Sequence, residues 1–365
     1  MLFRSTSVDR RQFAAFSIIG AATTNVPGVM ATNDFNVVMN RGIFRSFNRR
    51  GLSNDAAVYS GDVQLNGSAD ENLFFITTES DNINNAVLRH VFAGELLGSG
   101  GLTKWDNGAL VLVNSNSFTG GLNINRSNDR IRGTLGGVHL EDNGTLSGVG
   151  AITIQRDGSL FLDNTAINLS NRVNDAATIT TWGRSQIELV GNDSAPSYEA
   201  FGITTVTNGR LAIEFDRDDA TPQSQTLHLA SLNRAAGTIV GFHASDLGQG
   251  AFTNDITVTL GDGGASLAQI GGGGAAGASN VNVVVGVFGG DGVDYNVDKR
   301  TRTPDRADEF MTVDGGRLRT LHPSEMVNLG GRSTNALTIT QASAPTDANV
   351  NIDFASQWLD LARGA

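Results

Sequence analysis

Cysteine is absent from this 365-residue chain, which excludes disulfide staples and thiolate metal sites. Proline is scarce, at 6 residues, and charged residues make up only 17% of the chain. Lysine occurs only at Lys104 and Lys299, and the arginines are spread along the sequence. Together with a formal net charge of -11, this distribution excludes a concentrated basic groove, so we expect no nucleic-acid partner.

Long apolar runs are also missing. No stretch approaches the ~18 to 20 consecutive apolar residues of a membrane-spanning helix, so we expect no span within this segment. The N-terminal residues allow two interpretations. Arg10 and Arg11, followed by Gln-Phe and an apolar stretch, match the core of a twin-arginine export signal, with Val29-Met30-Ala31 as its cleavage site. The other interpretation is an irregular first coil of a repetitive fold.

Glycine is abundant instead, at 45 residues, and short runs of alternating apolar residues recur along the chain. Nearly all of these runs are bounded by Gly, Asn or Asp, which is typical of short strands separated by turns. The clearest runs are Val63/Leu65, Val138/Leu140, Ile152/Ile154, Leu160/Leu162, Ile187/Leu189, Leu211/Ile213/Phe215, Leu227/Leu229, Ile256/Val258/Leu260 and Val281/Val283/Val285. This pattern predicts an all-β protein.

One stretch, Gly101 to Asn125, shows how the strands are arranged. Leu110 and Leu112 fall on one face of a strand, and Leu122 and Ile124 on one face of the next. Two strands of this length cannot bury such a face alone, so copies must stack on either side. The stretch resembles the autotransporter passenger-associated β-strand repeat, through Gly100, Gly101, Leu102, Thr103, Lys104, Gly108, Leu110, Leu112, Asn116, Gly120 and Gly121. Asp106 and Phe118 depart from the repeat pattern.

The resemblance implies a right-handed parallel β-helix solenoid. We expect coils of about two dozen residues, about 15 of them, spanning ~70 Å at the spacing of parallel strands. The predicted division is an irregular N-terminal segment over 1–55, the solenoid over 56–345 with the repeat at 100–125, and a further coil or C-terminal edge over 346–365. A β-sandwich or propeller also has short alternating strands, but the repeat favours the solenoid.

A second, looser resemblance covers Thr226 to Leu329. This part is similar to the coil-and-loop module that follows such repeats in large bacterial surface proteins. A Gly-rich stretch through Gly274 is followed by an aromatic, acidic and Gly cluster from Glu309 to Gly316. The module implies that the sequence is a section of a longer chain.

Residues that could carry chemistry are isolated. His90, His139, His228, His243 and His322 show no metal-ligand spacing, so we interpret them as polar residues of strand surfaces. The turn from Gly289 to Asp294 resembles a single calcium-binding nonapeptide, and Asp216, Asp218 and Asp219 form an acidic turn. We interpret both as ordinary loops. The sequence therefore predicts no catalytic, cofactor-binding or metal-ligating residues and no cofactor.

The predicted function is a non-catalytic structural or adhesive segment of a large exported bacterial surface protein, located extracellularly or at the cell surface. Its expected partners are ligands on host cells, neighbouring cells or polysaccharide surfaces. We expect contacts at loops that leave the coil, Asn192 to Tyr198 and Gly263 to Ser279. The alternative is a carbohydrate-active β-helix enzyme, which needs close carboxylates beside aromatic platforms. Trp105, Trp182 and Trp358 are far apart in sequence, which speaks against it. A tail-spike-like fibre is a third class with this fold.

Overall fold

The structure, a computed structural model, describes the chain in separate stretches. These are residues 14–20, 32–34, 36–48, 57–70, 72–78, 89–106, 108–125, 137–216, 223–244, 247, 256–271, 281–290, 309–321, 326–328, 338–341 and 350–352. Within them the secondary structure is entirely β, as the alternating pattern predicts.

Most strands are short and end at turn residues. In chain order they are β1 Ala14–Gly20, β2 Thr32–Asn33, β3 Val37–Met39, β4 Gly42–Asn48, β5 Ala57–Tyr59, β6 Val63–Leu65, β7 Asn72–Thr78, β8 Arg89–Phe92, β9 Leu96–Leu97, β10 Leu102–Trp105, β11 Ala109–Leu112, β12 Ser115–Asn116, β13 Leu122–Asn125, β14 Gly137–Leu140, β15 Thr145–Leu146, β16 Ala151–Gln155, β17 Ser159–Asp163, β18 Thr178–Val190, β19 Ser197–Asp216, β20 Gln225–Arg234, β21 Ile239–His243, β22 Ile256–Leu260, β23 Gln269–Gly271, β24 Asn282–Val284, β25 Val287–Gly290, β26 Glu309–Asp314, β27 Arg317–Thr320, β28 Met326–Asn328, β29 Thr338–Gln341 and β30 Val350–Ile352.

These strands stack in parallel on three faces of a solenoid. The first face runs β1, β4, β7, β10, β13, β16, β18, β19 and β20. The second runs β2, β5, β8, β11, β14, β17, β18, β19, β21 and β25. The third is less continuous and contains β3–β6–β9, β12–β15 and β19–β20–β22. The predicted parallel β-solenoid is confirmed.

The repeat at Gly101 to Asn125 forms one complete turn of this solenoid. It contributes β10 to the first face, β11 to the second and β12 to the third before β13 returns to the first. Leu110, Leu112, Leu122 and Ile124 all lie in the core, as predicted. The buried Phe118 also packs there, so the departure from the repeat pattern at this position keeps an aromatic core residue.

Turn length varies more than expected. Leu102 pairs with Leu122, 20 residues further on, whereas the amide of Glu95 reaches back 33 residues to Asp62. Because longer turns use more residues each, a chain of given length forms fewer turns. The expected number of about 15 coils is therefore too high for the described residues. The rise between turns is nevertheless fixed by the spacing of hydrogen-bonded parallel strands.

In the later turns, single long strands bend to serve more than one face: β18 and β20 serve two faces each, and β19 serves all three. The first half of β18 pairs with β16 and its second half with β17. The bend lies at Gly183, which pairs with Gly209 of β19, and both have positive φ values of 81° and 76°. A Cβ on Gly209 would lie 2.2 Å from the carbonyl oxygen of Gly183. This corner therefore requires glycine.

The interior of the early turns is filled by rings, which we call the aromatic segment: Phe44, Tyr59, Phe74, His90 and Phe92. The rings of Phe44 and Phe74 stack with centroids 5.0 Å apart, and Phe44 meets His90 edge-on at 5.2 Å. Later turns are filled mainly by Leu, Ile and Val. Both fillings follow from period-two alternation, which places every second side chain inside.

After β25, strand pairing changes from parallel to antiparallel. The strands β26 and β27 form an antiparallel hairpin, and each pairs antiparallel with a strand of the solenoid, β26 with β25 and β27 with β22. The cluster from Glu309 to Gly316 is the first half of this hairpin and its turn. Further on, β28, β29 and β30 pair antiparallel with one another.

The N-terminal strands already follow the solenoid pattern, since β1 pairs in parallel with β4 over its full length. Arg10, Arg11 and the segment 29–31 of the predicted export signal lie outside the described residues. The predicted division at residues 55 and 345 stays a prediction, because strand pairing does not define the limits of independently folding units.

Candidate binding surface

The outer side of the first face carries a column of short polar side chains. Each strand there alternates, so that inward residues such as Ile152 and Ile154 are fully buried while their neighbours face outward. Strand register places the outward residues above one another, about 4.8 Å apart. In order along the solenoid they are Thr103, Asn123, Thr153, Thr180 and Thr205.

A second outward column lies beside the first. It consists of Trp105, Asn125, Gln155 and Trp182 on successive strands. The two tryptophans are therefore separated by three strand spacings, or ~14 Å. We call the combined surface the polar strip, made of Asn123, Thr153, Thr180, Thr205, Trp105, Asn125, Gln155 and Trp182.

Neighbouring turns define the edges of the polar strip. At one end, the hydroxyl of Thr103 donates to the carbonyl of Ala69 at 2.6 Å, and the amide of Asn123 donates to Asp70 at 3.3 Å. Near the other end, the guanidinium of Arg156 lies 5.1 Å from the ring of Trp182, a cation–π contact. The strip is thus bounded by a turn at one end and by a held aromatic ring at the other.

Every side chain of the polar strip is uncharged, in a chain of net charge -11. Asn125 is the most buried of them, at 9% exposure, and its side-chain oxygen has no hydrogen-bond partner among the described residues. A buried acceptor without a partner costs about 1–3 kcal/mol, so its retention needs a physical reason. An external donor that reaches this oxygen supplies one.

On the second face, the outward column contains groups that titrate. It runs His139, Phe161, Glu188, Glu214 and His243 on successive strands. Glu188 and Glu214 are neighbours across the ladder although they are 26 positions apart in the chain. Sequence reasoning missed this pair, because the two carboxylates belong to different turns and only strand register brings them together.

At the start of this column, Glu141 interacts with both Arg89 and His139. The carboxylate of Glu141 accepts from Arg89 at 2.5 Å and lies 3.5 Å from Nδ1 of His139. Burial acts to raise the pKa of Glu141, but the hydrogen bond to His139 and the charge of Arg89 outweigh it and lower the pKa below its ordinary value. The arrangement is a structural clamp across β11, which lies between β8 and β14.

Inside the third face lies a buried polar centre, formed by Asn164, Arg172 and Glu199. The guanidinium of Arg172 donates to Asn164 at 2.7 Å and to the carbonyls of Gly144 and Ile167 at 2.8 and 2.7 Å. The carboxylate of Glu199 accepts from the backbone N–H groups of Arg172 and Val173 at 2.8 and 3.0 Å.

These contacts replace strand pairing that is reduced here to a single bridge, Leu146 to Val173. Burial raises the pKa of Glu199 to about 8, against the opposing effect of the N–H groups and of Arg172. The groups are directed at backbone atoms of the same chain, so this centre serves the fold.

Beside the buried polar centre is a cavity lined by Ser197, Tyr198, Glu199 and Gln225, among others. Its volume open to a water molecule is about 10 Å³, enough for about one. The side chain of Gln225 donates to the carbonyl of Asp216 at 2.6 Å, and its oxygen has no partner. The size fits a bound water and excludes a larger organic ligand.

The histidines do not share one environment. His139 and His243 are outward strand residues, and Nδ1 of half-buried His228 lies 2.9 Å from the hydroxyl of Thr259. For His90, the prediction of a strand-surface position is wrong, because it points into the aromatic segment and is fully buried. Burial lowers its pKa to about 4. His322 lies outside the described residues.

The other sequence candidates are only partly described. Gly289 and Gly290 belong to β25, and the rest of the nonapeptide-like turn lies outside the described residues, as do Asp218, Asp219 and Trp358. The loop from Asn192 to Tyr198 is a tight turn, in which Asn192 accepts from the N–H groups of Ser194 and Ala195. It stays close to the coil.

Of the second predicted contact loop, Gly263 to Gly271 form a turn and β23, and the following residues to Ser279 lie outside the described part. Among described residues, no group of three His, Asp or Glu side chains is placed to hold a metal ion. In the same stretches, no helix has the length and apolar character to cross a membrane.

Comparison with known proteins gives one similarity. A section of the chain is 29% identical over 131 residues to the Adhesin BmaC autotransporter of Brucella suis biovar 1 (strain 1330). The aligned section covers 33% of this chain and 4% of that protein. No protein-family model and no solved structure matches the chain. The similarity and the parallel β-solenoid together fit a passenger-associated β-helix protein.

Proposed function

We propose that this chain is an adhesive section of an exported bacterial surface protein, a rod that presents the polar strip to a ligand outside the cell. The observation that carries the proposal is the strip itself. Its side chains come from five turns, are aligned by strand register and face away from the core. A solenoid is suited to this role, because each turn adds one row to an extended surface.

Similarity to an adhesin autotransporter supports the same role and an extracellular or cell-surface location. The aligned section is a small part of that much longer protein, so the activity of a whole adhesin is part of the proposal. We infer that this chain is likewise one section of a longer rod.

Cell attachment tests the proposed function. The chain is displayed on a non-adherent bacterium, and attachment to cultured epithelial cells and to polysaccharide-coated plates is counted. A strain that displays a solenoid of matched length and unrelated sequence is the control. We expect several-fold more attachment with this chain. Equal attachment of the two strains on every surface would contradict an adhesive role.

The catalytic alternative has less support. Glu188 and Glu214 are neighbouring carboxylates, as a glycosidase requires, but they lie on the outward column of a sheet, and the chain is similar in part to an adhesin. The decisive measurement is release of reducing ends from polysaccharides. Release that is lost in Glu188→Gln or Glu214→Gln would reverse the preference.

A further inference from the structure

We infer that the polar strip binds a neutral, extended oligosaccharide that lies along the solenoid axis. This inference rests on the proposed adhesive function and adds the chemical class of the ligand and the residues that contact it. It is argued from the charge of the strip, the placement of its aromatic rings, and one buried acceptor that has no partner among the described residues.

Charge narrows the class of ligand first. The strip contains no carboxylate that would attract a cationic segment, and it contains no Lys or Arg for the phosphates or sulfates of a polyanion. The charged groups at its edges are Asp70, which accepts from the amide of Asn123, and Arg156, whose guanidinium is placed over Trp182. A ligand matched to this surface is uncharged.

Composition then separates a sugar from a protein partner. The centres of protein interfaces are rich in apolar and aromatic area, whereas the strip is mostly amide and hydroxyl groups with one tryptophan toward each end. A pyranose ring combines an apolar C–H face, which packs on an indole, with hydroxyl groups that exchange hydrogen bonds with Asn, Gln and Thr. The strip offers both types of contact at once.

Geometry sets the direction of the ligand. Trp105 and Trp182 lie in one column ~14 Å apart, with Asn125 and Gln155 on the two strands between them. An extended sugar chain along this column meets a stacking ring at each end and an amide at each intervening strand. A chain across the column would reach only one ring.

Asn125 supplies an independent observation. Its side chain is nine-tenths buried, yet its oxygen has no hydrogen-bond partner in the part of the chain that the structure describes. It lies between Trp105 and Gln155, at the centre of the proposed contact. A sugar hydroxyl that donates to this oxygen satisfies a group that the fold leaves unsatisfied.

The test uses the full chain and neutral hexasaccharides of glucose, mannose, galactose and N-acetylglucosamine, with oligogalacturonate and heparin hexasaccharide as anionic controls. Binding is measured by calorimetry and by tryptophan fluorescence. We expect saturable binding of at least one neutral hexasaccharide with a Kd of about 1 mM or tighter, and no binding of the anionic controls. Trp182→Ala is expected to weaken it about tenfold or more, a loss of ~1.4 kcal/mol.

Two further variants keep the test decisive. Gln155→Leu retains side-chain bulk, removes the amide and leaves both rings in place; it is expected to weaken binding several-fold even if Trp182→Ala fails to fold. Phe161→Ala is the matched control, since Phe161 is a partly exposed aromatic residue in the outward column of the second face. It is expected to bind like the parent chain.

Three results would overturn the inference: no neutral hexasaccharide binds, the anionic controls bind better, or Phe161→Ala loses binding while the strip variants keep it. Attachment of the displaying bacteria separates this failure from failure of the proposed function. Attachment that persists unchanged in the strip variants means that the rod adheres through another surface, such as a protein-binding one. Absence of attachment by the parent chain means that the adhesive function itself is wrong.

Discussion

The aromatic segment and the buried polar centre occupy the same position, the interior of one solenoid, but they differ in what completes the third face. Beside the aromatic segment, β3, β6 and β9 form a ladder, and rings fill the space between the faces. At the buried polar centre the ladder is a single bridge, and Arg172 and Glu199 bond to backbone groups instead. Charged groups are therefore buried where backbone pairing is incomplete.

Removing the carboxylate of Glu199 gives the largest expected effect. Glu199→Ala leaves the two buried N–H groups of Arg172 and Val173 without an acceptor. We expect the free energy of unfolding to fall by about 3–5 kcal/mol. Urea unfolding followed by circular dichroism measures it, with the outward Glu188→Ala as control. Equal small losses in both variants would show that the carboxylate is not needed here.

Lowering the pH should destabilise the aromatic segment, because His90 is buried there. Its pKa is about 4 in the folded protein and 6.5 when unfolded, so the unfolded state binds the proton more tightly. The contribution of His90 is full above pH 6.5 and is lost as the pH falls toward 4, at up to about 1.4 kcal/mol per pH unit and about 3 kcal/mol in total.

The measurement is the difference between the unfolding free energies of the parent chain and His90→Phe across this range. A Phe at this position keeps the ring packing and has no proton to bind. Above pH 6.5, we expect the unfolding free energies of the two proteins to change with pH in parallel. Below pH 6.5, the parent chain should lose stability faster than His90→Phe. Parallel curves from pH 7 to 4 would mean that His90 is not buried among the rings.

Asn116 shows the same replacement of backbone by side chain on a smaller scale. Its oxygen accepts from the N–H of Leu96 at 3.0 Å, and its nitrogen donates to the carbonyls of Asn114 and Thr145 at 2.6 and 3.0 Å. We expect Asn116→Ala to cost about 2 kcal/mol in unfolding free energy. The exposed Thr119→Ala, in the same turn, should change it by less than about 0.5 kcal/mol. If the unfolding free energies of the two variants differ by less than about 0.5 kcal/mol, the Asn116 side chain does not stabilise the third face.

The smallest effect is expected from an exposed ion pair. Arg184 and Asp157 are joined at 2.6 Å, but the arginine side chain is 53% exposed. Solvent screening limits such pairs, so Arg184→Ala should cost less than about 1 kcal/mol, and 0.5 M salt should remove most of the difference. A loss as large as that of Glu199→Ala would contradict the view that burial decides the importance of these charges.

Prediction from sequence succeeded where the information is local. Alternation within a strand placed Leu110, Leu112, Leu122 and Ile124 in the core, and the repeat identified one turn of the solenoid. It failed where position depends on register between turns. Trp105 and Trp182 share a column only because of the lengths of all the intervening turns, which no single motif encodes.

The same reason explains the two errors of detail. Glu188 and Glu214 become neighbours through stacking, which is invisible at the spacing of a single strand. His90 alternates with Arg89 and Val91 in a short strand, and its polar character favours an outward position. His90 is nevertheless buried, because its ring packs against the rings of Phe44 from another turn and Phe92 of the same strand. Tertiary packing overrode the residue preference.

Turn length, which ranges from 20 to 47 residues between paired positions of parallel strands, has a consequence for how such a rod changes over evolutionary time. Extra residues at a corner bulge sideways, because the stacked strands alone fix the advance from one turn to the next. Insertions therefore alter the width of the solenoid and the shape of its corners, while its length depends on the number of turns. Sequence length alone is a poor measure of how far it extends.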